Sequence, residues 1–342
     1  MSKRFILQSL CGAALLAAAP SLVQAQSVEQ FYKGKTINLY IGYGSGGGYD
    51  FYGRLTARHM GRHIPGNPNI VPQNMPGAGS LKAANYVYSV APKDGTALGI
   101  ITQSVAIEEA LDTQGVQYKS AEFNWIGRVT SNVEISLMWH TSKVKTIQDA
   151  MQFEVPVAGT GPGSPAEVFP KILNAIVGTK FKVITGYPGS NEGMIAMERG
   201  ETDGALTSWN TTKISKKSWL DEKKVNIIVQ YVSVPHVDLP HVPTAVSLAK
   251  SPEDKQVLEL FVSGAAIGRS ILSTPGLPAD RLKALRGAFD AMLKDAVFLA
   301  EVEKTKAEFD PMSGEQLQKV VQDAANIPPD VLKRAKTARG ND

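Results

Sequence analysis

Residues Ile37 to Phe51 have the sequence INLYIGYGSGGGYDF, in which an apolar, β-prone run leads into five glycines between Gly42 and Gly48. A helical pattern follows at once. Glycine tolerates positive φ and lets another molecule approach the backbone, so such a loop can turn free N–H groups inward. A helix that starts there adds unpaired N–H donors and the positive end of its dipole. This strand, loop and helix predict an anion site that needs no lysine or arginine.

A dinucleotide is one alternative ligand for this loop. Gly42, Gly44 and Gly47 satisfy the G-x-G-x-x-G spacing of dinucleotide-binding folds. Those folds also need an acidic residue about 20 positions later to hold the ribose, and residues 51–93 contain no Asp or Glu. A tight turn without any ligand is the other alternative, but it would need fewer glycines. The pattern favours a small anion over both.

The first 25 residues have the pattern of a secretory signal peptide. Lys3 and Arg4 precede an apolar run, and the small residues that end at Ala25 predict cleavage before Gln26. The run is too short for a stable transmembrane span. Cys11 is the one cysteine and lies inside this run, in a context that is poor for lipoprotein processing. The mature chain would then have no disulfide, thiol nucleophile or cysteine metal ligand.

The composition of the remaining chain indicates a soluble, two-lobed exported protein. Without the two signal-peptide cations, 34 Lys and Arg face 32 Asp and Glu, which gives a net charge of +2. Nucleic-acid proteins need clustered basic charge, and this balance does not supply it. No later segment approaches 18 continuous apolar residues. About 315 residues exceed the usual size of one hydrophobic core, so two lobes are expected.

The helix after the glycine loop carries basic residues at helical spacing. Arg54, Arg58 and Arg62 lie four apart. A solvated basic face is the simple interpretation, and an electropositive mouth for the ligand cleft is the alternative. His59 and His63 have zinc-ligand spacing, but the residue after His59 is methionine, where a metalloprotease has glutamate. We expect no metal and no other cofactor.

A second glycine-rich loop repeats the architecture of the first. Val155 to Ala158 is a predicted strand, residues 159–165 have the sequence GTGPGSP, and a helical pattern runs from about Pro165 to Val177. Two helix N-termini that face each other across a cleft would suit a ligand that carries a carboxylate.

Three motifs occur in order along the chain. They are a GGG-x-D loop at Gly46 to Asp50, an N-x-PGAG segment at Asn74 to Gly79, and an Asp94-Gly95 turn before a strand. Their order and spacing resemble the Bug family, the periplasmic solute receptors of tripartite tricarboxylate transporters. The resemblance continues through Val242-Pro243-Thr244 and Pro275-Gly276-Leu277-Pro278. It implies an α/β, two-lobed periplasmic binding protein fold of type II, with two mixed sheets flanked by helices and a hinge that the chain crosses twice.

The chain is expected to cross between its lobes near residues 130 and 233. Residues 26–131 and 234–342 would then form lobe 1, and residues 132–233 would form lobe 2. The β-branched strand Val225 to Val232 would lead back to lobe 1. The helices after it, including the last one near Asp330 to Lys336, would complete that lobe.

The resemblance implies a periplasmic receptor that captures a small organic acid between its lobes and delivers it to a membrane permease. It implies no enzymatic activity. Tyrosine replaces the threonine that is common before the aspartate of the family's loop, so Tyr43, Tyr49, Tyr52 and Tyr187 could put aromatic rings near the ligand. The acid could therefore be aromatic as well as a dicarboxylate. The tyrosines at 49 and 52 could instead pack under the loop. We expect a monomer.

The predicted ligand site combines main-chain and polar groups from both lobes. Two of its residues follow the strand Ala97 to Thr102, where open α/β sheets bind ligands. The resemblance adds the second loop, a tyrosine-containing loop and an aspartate. The full set is Tyr43, Ser45, Gly46, Gly47, Gly48, Tyr49, Asp50, Asn74, Gln103, Ser104, Thr160, Gly161, Ser164, Tyr187, Gly189, Ser190 and Asp203. Simple capping is the alternative for Gln103, Ser104 and Ser164, and a structural role is the alternative for Asp203.

Catalysis is the main alternative function. No G-x-S-x-G nucleophile motif occurs, and the five histidines have no evident acid partner. An exported hydrolase or isomerase would need Asp50, Asp203 or Glu192 as a base in the same cleft. A scaffold that binds only protein through its basic helix face is a third alternative. The residues favour a receptor.

Overall fold

The computed structural model describes residues 26–324 and 326–340. The expected signal peptide, at residues 1–25, lies outside them. None of the described helices is long and apolar enough to cross a membrane. The strands are β1 (Thr36–Ile41), β2 (Asn69–Asn74), β3 (Ala97–Ile100), β4 (Asn124–Thr130), β5 (Glu134–Trp139), β6 (Val155–Ala158), β7 (Phe181–Ile184), β8 (Gly204–Ser208), β9 (Val225–Tyr231), β10 (Arg269–Ser273) and β11 (Met312–Ser313).

The helices alternate with these strands over most of the chain. They are α1 (Val28–Tyr32), α2 (Gly48–Met60), α3 (Leu81–Ser89), α4 (Val105–Ala110), α5 (Ile147–Gln152), α6 (Pro165–Ile176), α7 (Ser190–Glu198), α8 (Trp209–Ser215), α9 (Lys217–Asp221), α10 (Pro252–Ser263), α11 (Ala279–Met292), α12 (Ala296–Thr305), α13 (Gly314–Ala324) and α14 (Pro329–Arg339).

The first sheet has the strand order β11-β4-β10-β3-β1-β2. β1 pairs in parallel with β2 and β3, whereas β10 pairs antiparallel with β3 and β4. Ile37, Leu39 and Ile41 of β1 enter one apolar cluster, and Tyr40 enters the cluster on the other face. Because successive side chains alternate between the faces of a strand, an apolar run such as this one needs cover on both sides.

The second sheet has the strand order β7-β6-β8-β5-β9. β6 pairs in parallel with β7 and β8, and β5 pairs antiparallel with β8 and β9. In both sheets, three parallel strands therefore form one edge, and an antiparallel strand lies next to them. This arrangement confirms the predicted α/β fold with two mixed sheets flanked by helices. The two glycine loops occur at equivalent places in the two sheets, so their repetition in the sequence reflects the repeated topology.

The chain passes between the two sheets at two segments, residues 131–133 and 264–268, and these segments lie side by side. The N–H of Asn132 donates to the carbonyl of Ala265 at 3.1 Å. Gly268 has a φ of +55°, and a Cβ there would lie 2.3 Å from the carbonyl oxygen of Thr130, so the close approach of the segments requires glycine. The crossings were expected near residues 130 and 233. After β9 the chain first forms α10 and then returns to the first sheet at β10.

The packing of α10 explains why the chain returns to the first sheet only after this helix. Val257, Leu258 and Phe261 of this helix are buried in the same apolar cluster as Phe169 of α6. The last helix, α14, contributes Val331 to that cluster too. Both helices therefore cover the second sheet, although the sequence assigned them to the first lobe. We propose that lobe 2 extends from residue 132 to about 264 and is completed by α14.

Candidate functional site

A cavity of about 40 Å³ lies between the two sheets, at the edge where both glycine loops lie. Its walls come from the first loop and α2, from the second loop and α6, and from the ends of β5, β8 and β10. The parallel strand β8 ends at this edge, whereas its antiparallel neighbour β5 begins there, with Glu134 opposite Ser208. Strand ends of both directions therefore contribute side chains to one place, outside the carboxyl ends of the parallel strands.

The first glycine loop presents free main-chain donors to this cavity. Gly47 is the N-cap of α2 and makes no side-chain cap. Among the residues that the structure describes, the N–H groups of Gly48 and Tyr49 have no hydrogen-bond acceptor. Gly47, Gly48 and Tyr49 all line the cavity. The start of α2 thus offers two N–H donors and the positive end of a helix dipole to an anion.

Asp50, Asn74, Ser45 and Gly46 shape this loop from outside the cavity. The Asp50 carboxylate accepts hydrogen bonds from the Gly46 N–H at 3.0 Å, Arg54 Nε at 2.8 Å and Asn74 Nδ2 at 2.9 Å. Burial acts to raise the pKa of Asp50, but these donors outweigh it and hold the pKa below its ordinary value. Ser45 donates to Asn74 Oδ1 at 3.3 Å and is exposed. These predicted site residues hold the loop rather than face a ligand.

Tyr43 and Tyr49 form one wall of the cavity. Their rings stack with centroids 4.5 Å apart. The Tyr43 hydroxyl donates to the carbonyl of Gly79 at 3.4 Å, and the Tyr49 hydroxyl accepts the N–H of Gln103 at 2.8 Å. Burial raises the pKa of both phenols, so both are neutral at physiological pH. Gln103 is buried behind this wall and supports it.

Arg269, the first residue of β10, lies in the cavity and was not predicted from the sequence. It is 3% exposed. Its guanidinium carbon lies 3.8 Å from the centroid of the Tyr49 ring, and Nη2 donates to Asn132 Oδ1 at 2.9 Å. Nη1 is buried and has no hydrogen-bond partner in the described part of the chain. The expectation of an anion site without lysine or arginine is therefore wrong, since a buried cation with a free N–H lies beside the loop.

Glu134, the first residue of β5, is a second charged residue that the sequence prediction missed. It is 5% exposed, and its Oε1 accepts a hydrogen bond from Asn132 Nδ2 at 2.6 Å. The same oxygen lies 3.8 Å from Arg269 Nη2. Burial raises the pKa of Glu134 above its ordinary value, and the attraction of Arg269 and the hydrogen bond from Asn132 offset only part of that rise. Asn132 Nδ2 also donates to Gln103 Oε1 at 2.6 Å, so one amide connects the charged pair to the Tyr49 wall.

The second sheet supplies hydroxyl groups to the cavity. Thr160 Oγ1 and Thr207 Oγ1 are buried without a hydrogen-bond partner among the described residues, and both threonines line the cavity with Ser190. The start of α6 contributes less than the sequence suggested. Pro165 has no N–H, and both the N–H and the Oγ of Ser164 donate to the carbonyl of Gly161. This side therefore offers hydroxyl groups together with the N–H of Ala166, which lines the cavity and has no acceptor among the described residues.

The lobes touch at two places across the cleft, where the segment at Gly79 meets the second glycine loop and where the first glycine loop meets Pro188. A Cβ on Gly79, whose φ is +64°, would lie 2.5 Å from the nitrogen of Ser164, and a Cβ on Gly161 would lie 2.7 Å from the nitrogen of Gly79. The Gly44 N–H donates to the carbonyl of Pro188 at 2.9 Å. Gly161 thus belongs to the contact between the lobes rather than to the cavity wall.

Four other predicted site residues lie away from the cavity. Ser104 is the N-cap of α4, and Gly189 is the N-cap of α7. Tyr187 is half-buried, and its hydroxyl pairs with Glu201. Asp203 precedes β8 at the amino end of that strand, whereas the carboxyl end lines the cavity. Because five strand residues span about 16 Å, this aspartate does not reach the cavity.

The basic residues of α2 and of the turn directly after it are paired with carboxylates and do not form an open cationic face. Arg62 and His63 contact Asp295 at 2.8 and 2.9 Å. Arg58 and His59 contact Glu301 in the same way. The histidine pair thus has carboxylate partners, which accounts for its spacing without a metal.

One group outside the cavity has the composition of a metal site. One ligand atom each from His236, Asp238 and Glu308 lies within 4.8 Å of the others. Lys213 Nζ lies 2.8 Å from Asp238 and 2.9 Å from Glu308. An ammonium group therefore already pairs with both carboxylates, and the cluster is an ion-pair network.

Comparison with known proteins identifies solved structures that share this fold. No protein-family model and no curated protein matches the sequence. The structure superposes on the periplasmic binding protein BugD with a TM-score of 0.71 and 18% identity, over 90% of this chain and 98% of BugD.

Two further solved structures share the fold. Rpa4515 of R. palustris, solved with adipate, gives a TM-score of 0.68 and 18% identity, over 90% of this chain and 97% of that protein. MatC from Rhodopseudomonas palustris, solved with bound malate, gives 0.67 and 18%, over 89% of this chain and 98% of that protein. The fold is thus that of two-lobed periplasmic binding proteins.

Proposed function

We propose that this chain is an exported solute-binding protein of the Bug type, which captures a small organic acid between its two lobes. One observation carries the proposal. The buried Nη1 of Arg269 has no partner among the described residues, and Arg269 lines the same cavity as Gly48 and Tyr49, whose N–H groups are free. Convergent N–H donors around a buried guanidinium bind a carboxylate well.

The energetics support a carboxylate at this position. Each hydrogen bond from a charged or main-chain donor to a carboxylate contributes about 1.5 to 3 kcal/mol. The same bonds are stronger in a cavity that excludes water, because the local dielectric constant is low. Thr160 and Thr207 add two hydroxyl groups that otherwise stay unpaired. Closure of the lobes therefore strengthens binding and marks the loaded state that a membrane permease would recognise.

The cavity favours aliphatic acids over aromatic ones. Tyr49 has one ring face against Tyr43 and is also covered by the Arg269 guanidinium, so it has little free surface for an aromatic ligand. The Tyr52 hydroxyl donates outside the cavity, to Asn210 Oδ1 at 2.8 Å. A volume of about 40 Å³ corresponds to a few water molecules. A short mono- or dicarboxylate fits this space best, and longer acids need the lobes to part further.

The comparisons support the same class of ligand and location. Rpa4515 and MatC share the fold, and their structures are described with adipate and malate, two aliphatic dicarboxylic acids. BugD is described as a periplasmic binding protein. Together with the expected signal peptide, this supports a periplasmic location and a permease partner.

A ligand screen tests the proposed function. The purified mature protein, unfolded and refolded to remove retained ligand, is mixed with aliphatic and aromatic mono-, di- and tricarboxylates, and thermal unfolding is recorded. Each hit is then titrated by calorimetry and analysed by mass spectrometry after incubation. Stabilisation by an aliphatic acid that stays chemically unchanged supports a receptor. Conversion of the acid, or no stabilisation by any carboxylate, refutes the proposal.

A further inference from the structure

The cavity holds two opposite charges that are close but not hydrogen-bonded to each other. Arg269 Nη2 lies 3.8 Å from Glu134 Oε1, beyond the hydrogen-bond range. Both groups form hydrogen bonds with Asn132 instead. The Arg269 guanidinium donates to Asn132 Oδ1 at 2.9 Å, and Asn132 Nδ2 donates to Glu134 Oε1 at 2.6 Å. The free Nη1 is therefore available to a second carboxylate, which would share the cation with Glu134.

The other groups that face Glu134 carry no charge that could compensate a second anion. Tyr43 comes from the first loop, Tyr49 from α2 and Tyr231 from β9, and burial raises the pKa of all three phenols. Asn132 comes from the crossing segment, and Ser208 lies opposite Glu134 on β8. Apart from Arg269, no lysine, arginine or histidine of the described residues lines the cavity.

The charge balance of the closed cavity follows from these contacts. With Glu134 ionised, the cavity is neutral before the ligand enters and carries an excess negative charge afterwards. An uncompensated buried charge is strongly unfavourable, and like charges at short range raise the pKa of the group that can take up a proton. A carboxylate ligand brings no proton above pH 7, because ordinary carboxyl groups are fully ionised there. Glu134 is then the group that changes its state.

We propose that capture of a carboxylate at Arg269 is coupled to the uptake of one proton by Glu134, so that the bound complex holds the pair of ligand carboxylate and guanidinium beside a neutral carboxylic acid. The inference rests on the proposed function of the same cavity. Because Asn132, Glu134 and Arg269 all lie at or next to the crossing segments, the proton arrives at the hinge between the lobes.

The sign of the pH dependence is fixed by this coupling. Bound ligand raises the pKa of Glu134, so within the pH range where the ligand is ionised the affinity falls as the pH rises above the pKa that Glu134 has in the free protein. For one proton, the dissociation constant rises about tenfold per pH unit in that range. Replacement of Glu134 by glutamine mimics the protonated form and should remove the dependence.

Calorimetry with succinate and adipate tests the proposal, because neither acid has a hydroxyl or amino group that could donate to Glu134. Titrations between about pH 6.5 and 8.5 in buffers with different heats of ionisation count the protons taken up per ligand. We expect a count near one in the upper part of that range for the wild-type protein. For Glu134→Gln we expect a count near zero and tighter binding than wild type at high pH. Glu154→Gln, which makes the same change at an exposed side chain, should behave as wild type.

The outcomes separate the two proposals. If succinate or adipate binds without proton uptake, and the affinity is flat with pH, the coupling is wrong while the receptor function stands. If neither acid nor any other carboxylate of the ligand screen binds wild type at any pH, the proposed function fails and the coupling fails with it. The wild-type proton count is decisive by itself, so the result does not depend on the folding of the Glu134→Gln variant.

Discussion

Replacement of Arg269 by methionine, which keeps much of the side-chain volume and removes the charge, should abolish most of the ligand affinity. The Nη1 donor that would reach the carboxylate is buried and has no other partner among the described residues. Loss of one charged hydrogen bond costs about 1.5 to 3 kcal/mol. That range corresponds to a roughly 10- to 150-fold increase in the dissociation constant for succinate.

The single variant also affects stability, which must be separated from binding. Without the guanidinium, Glu134 is a buried carboxylate that has lost its cation, and loss of one partner of a buried pair costs about 3 to 5 kcal/mol. The double variant Arg269→Met with Glu134→Gln removes both charges together. It should recover most of the thermal stability and none of the affinity.

Calorimetry of both variants measures the affinity, and thermal unfolding without ligand measures the stability. Arg281→Met is the matched control, because Arg281 also stacks on an aromatic ring, 3.6 Å from the centroid of Phe31, and lies outside the cavity. We expect the control to bind as wild type does. A double variant that is as stable as wild type and binds within about threefold of it would show that Arg269 does not hold the ligand.

Three further changes test other parts of the site. Gly47→Val should weaken binding at least tenfold while the unfolding temperature changes little, because its Cβ would meet Ser190 Oγ at 3.0 Å across the cavity; unchanged affinity in calorimetry would place the ligand elsewhere. Gly79→Ala should keep the lobes apart, because its Cβ would lie 2.5 Å from the Ser164 nitrogen; a larger radius of gyration in small-angle scattering checks this, and a closed form identical to wild type refutes it. Asp50 has a lowered pKa in the folded protein, so it stabilises the fold above its ordinary pKa and this contribution is lost as the pH falls below about 4; Asp50→Asn should flatten that part of the curve of unfolding temperature against pH, and an equal acid loss in both proteins would contradict the assignment.

The sequence was sufficient to predict the parts of the site that depend on local chain geometry. Glycines in the run from Gly42 to Gly48 mark a loop whose backbone must be approached closely, and the structure places Gly47 and Gly48 at the cavity. The apolar run before them forms β1, as its composition predicts. These features are visible in the sequence because the residues that act together are neighbours in the chain.

The charged pair was not predicted, because its residues meet only through the topology of the two sheets. Glu134 and Arg269 are 135 positions apart, and each is the first residue of an antiparallel strand. One local signal was present: each is a lone charge at the start of an otherwise uncharged strand, where it is 5% and 3% exposed, respectively. Since charges are rarely buried without a partner, that pattern identifies candidates for a buried pair, but only the strand order shows that they meet.

Two predicted site residues, Asp203 and Tyr187, do not line the cavity. Asp203 and Tyr187 follow motifs that resemble the family's, yet they lie away from the cavity, and Asp203 instead accepts a hydrogen bond from Ser142 Oγ at 3.2 Å. A sequence motif determines the type of local structure. It does not determine which end of a strand faces the ligand. The roles of these two residues in ligand binding stay predictions.

A crystal structure of the protein grown with succinate is the most direct test of a carboxylate held between the lobes. We expect one carboxylate of succinate about 3 Å from Arg269 Nη1 and from the main-chain nitrogen of Gly48, with the lobes closed over it. Succinate bound outside this cavity, or a cavity in which Arg269 Nη1 bonds to a protein group instead of the ligand, would contradict the account.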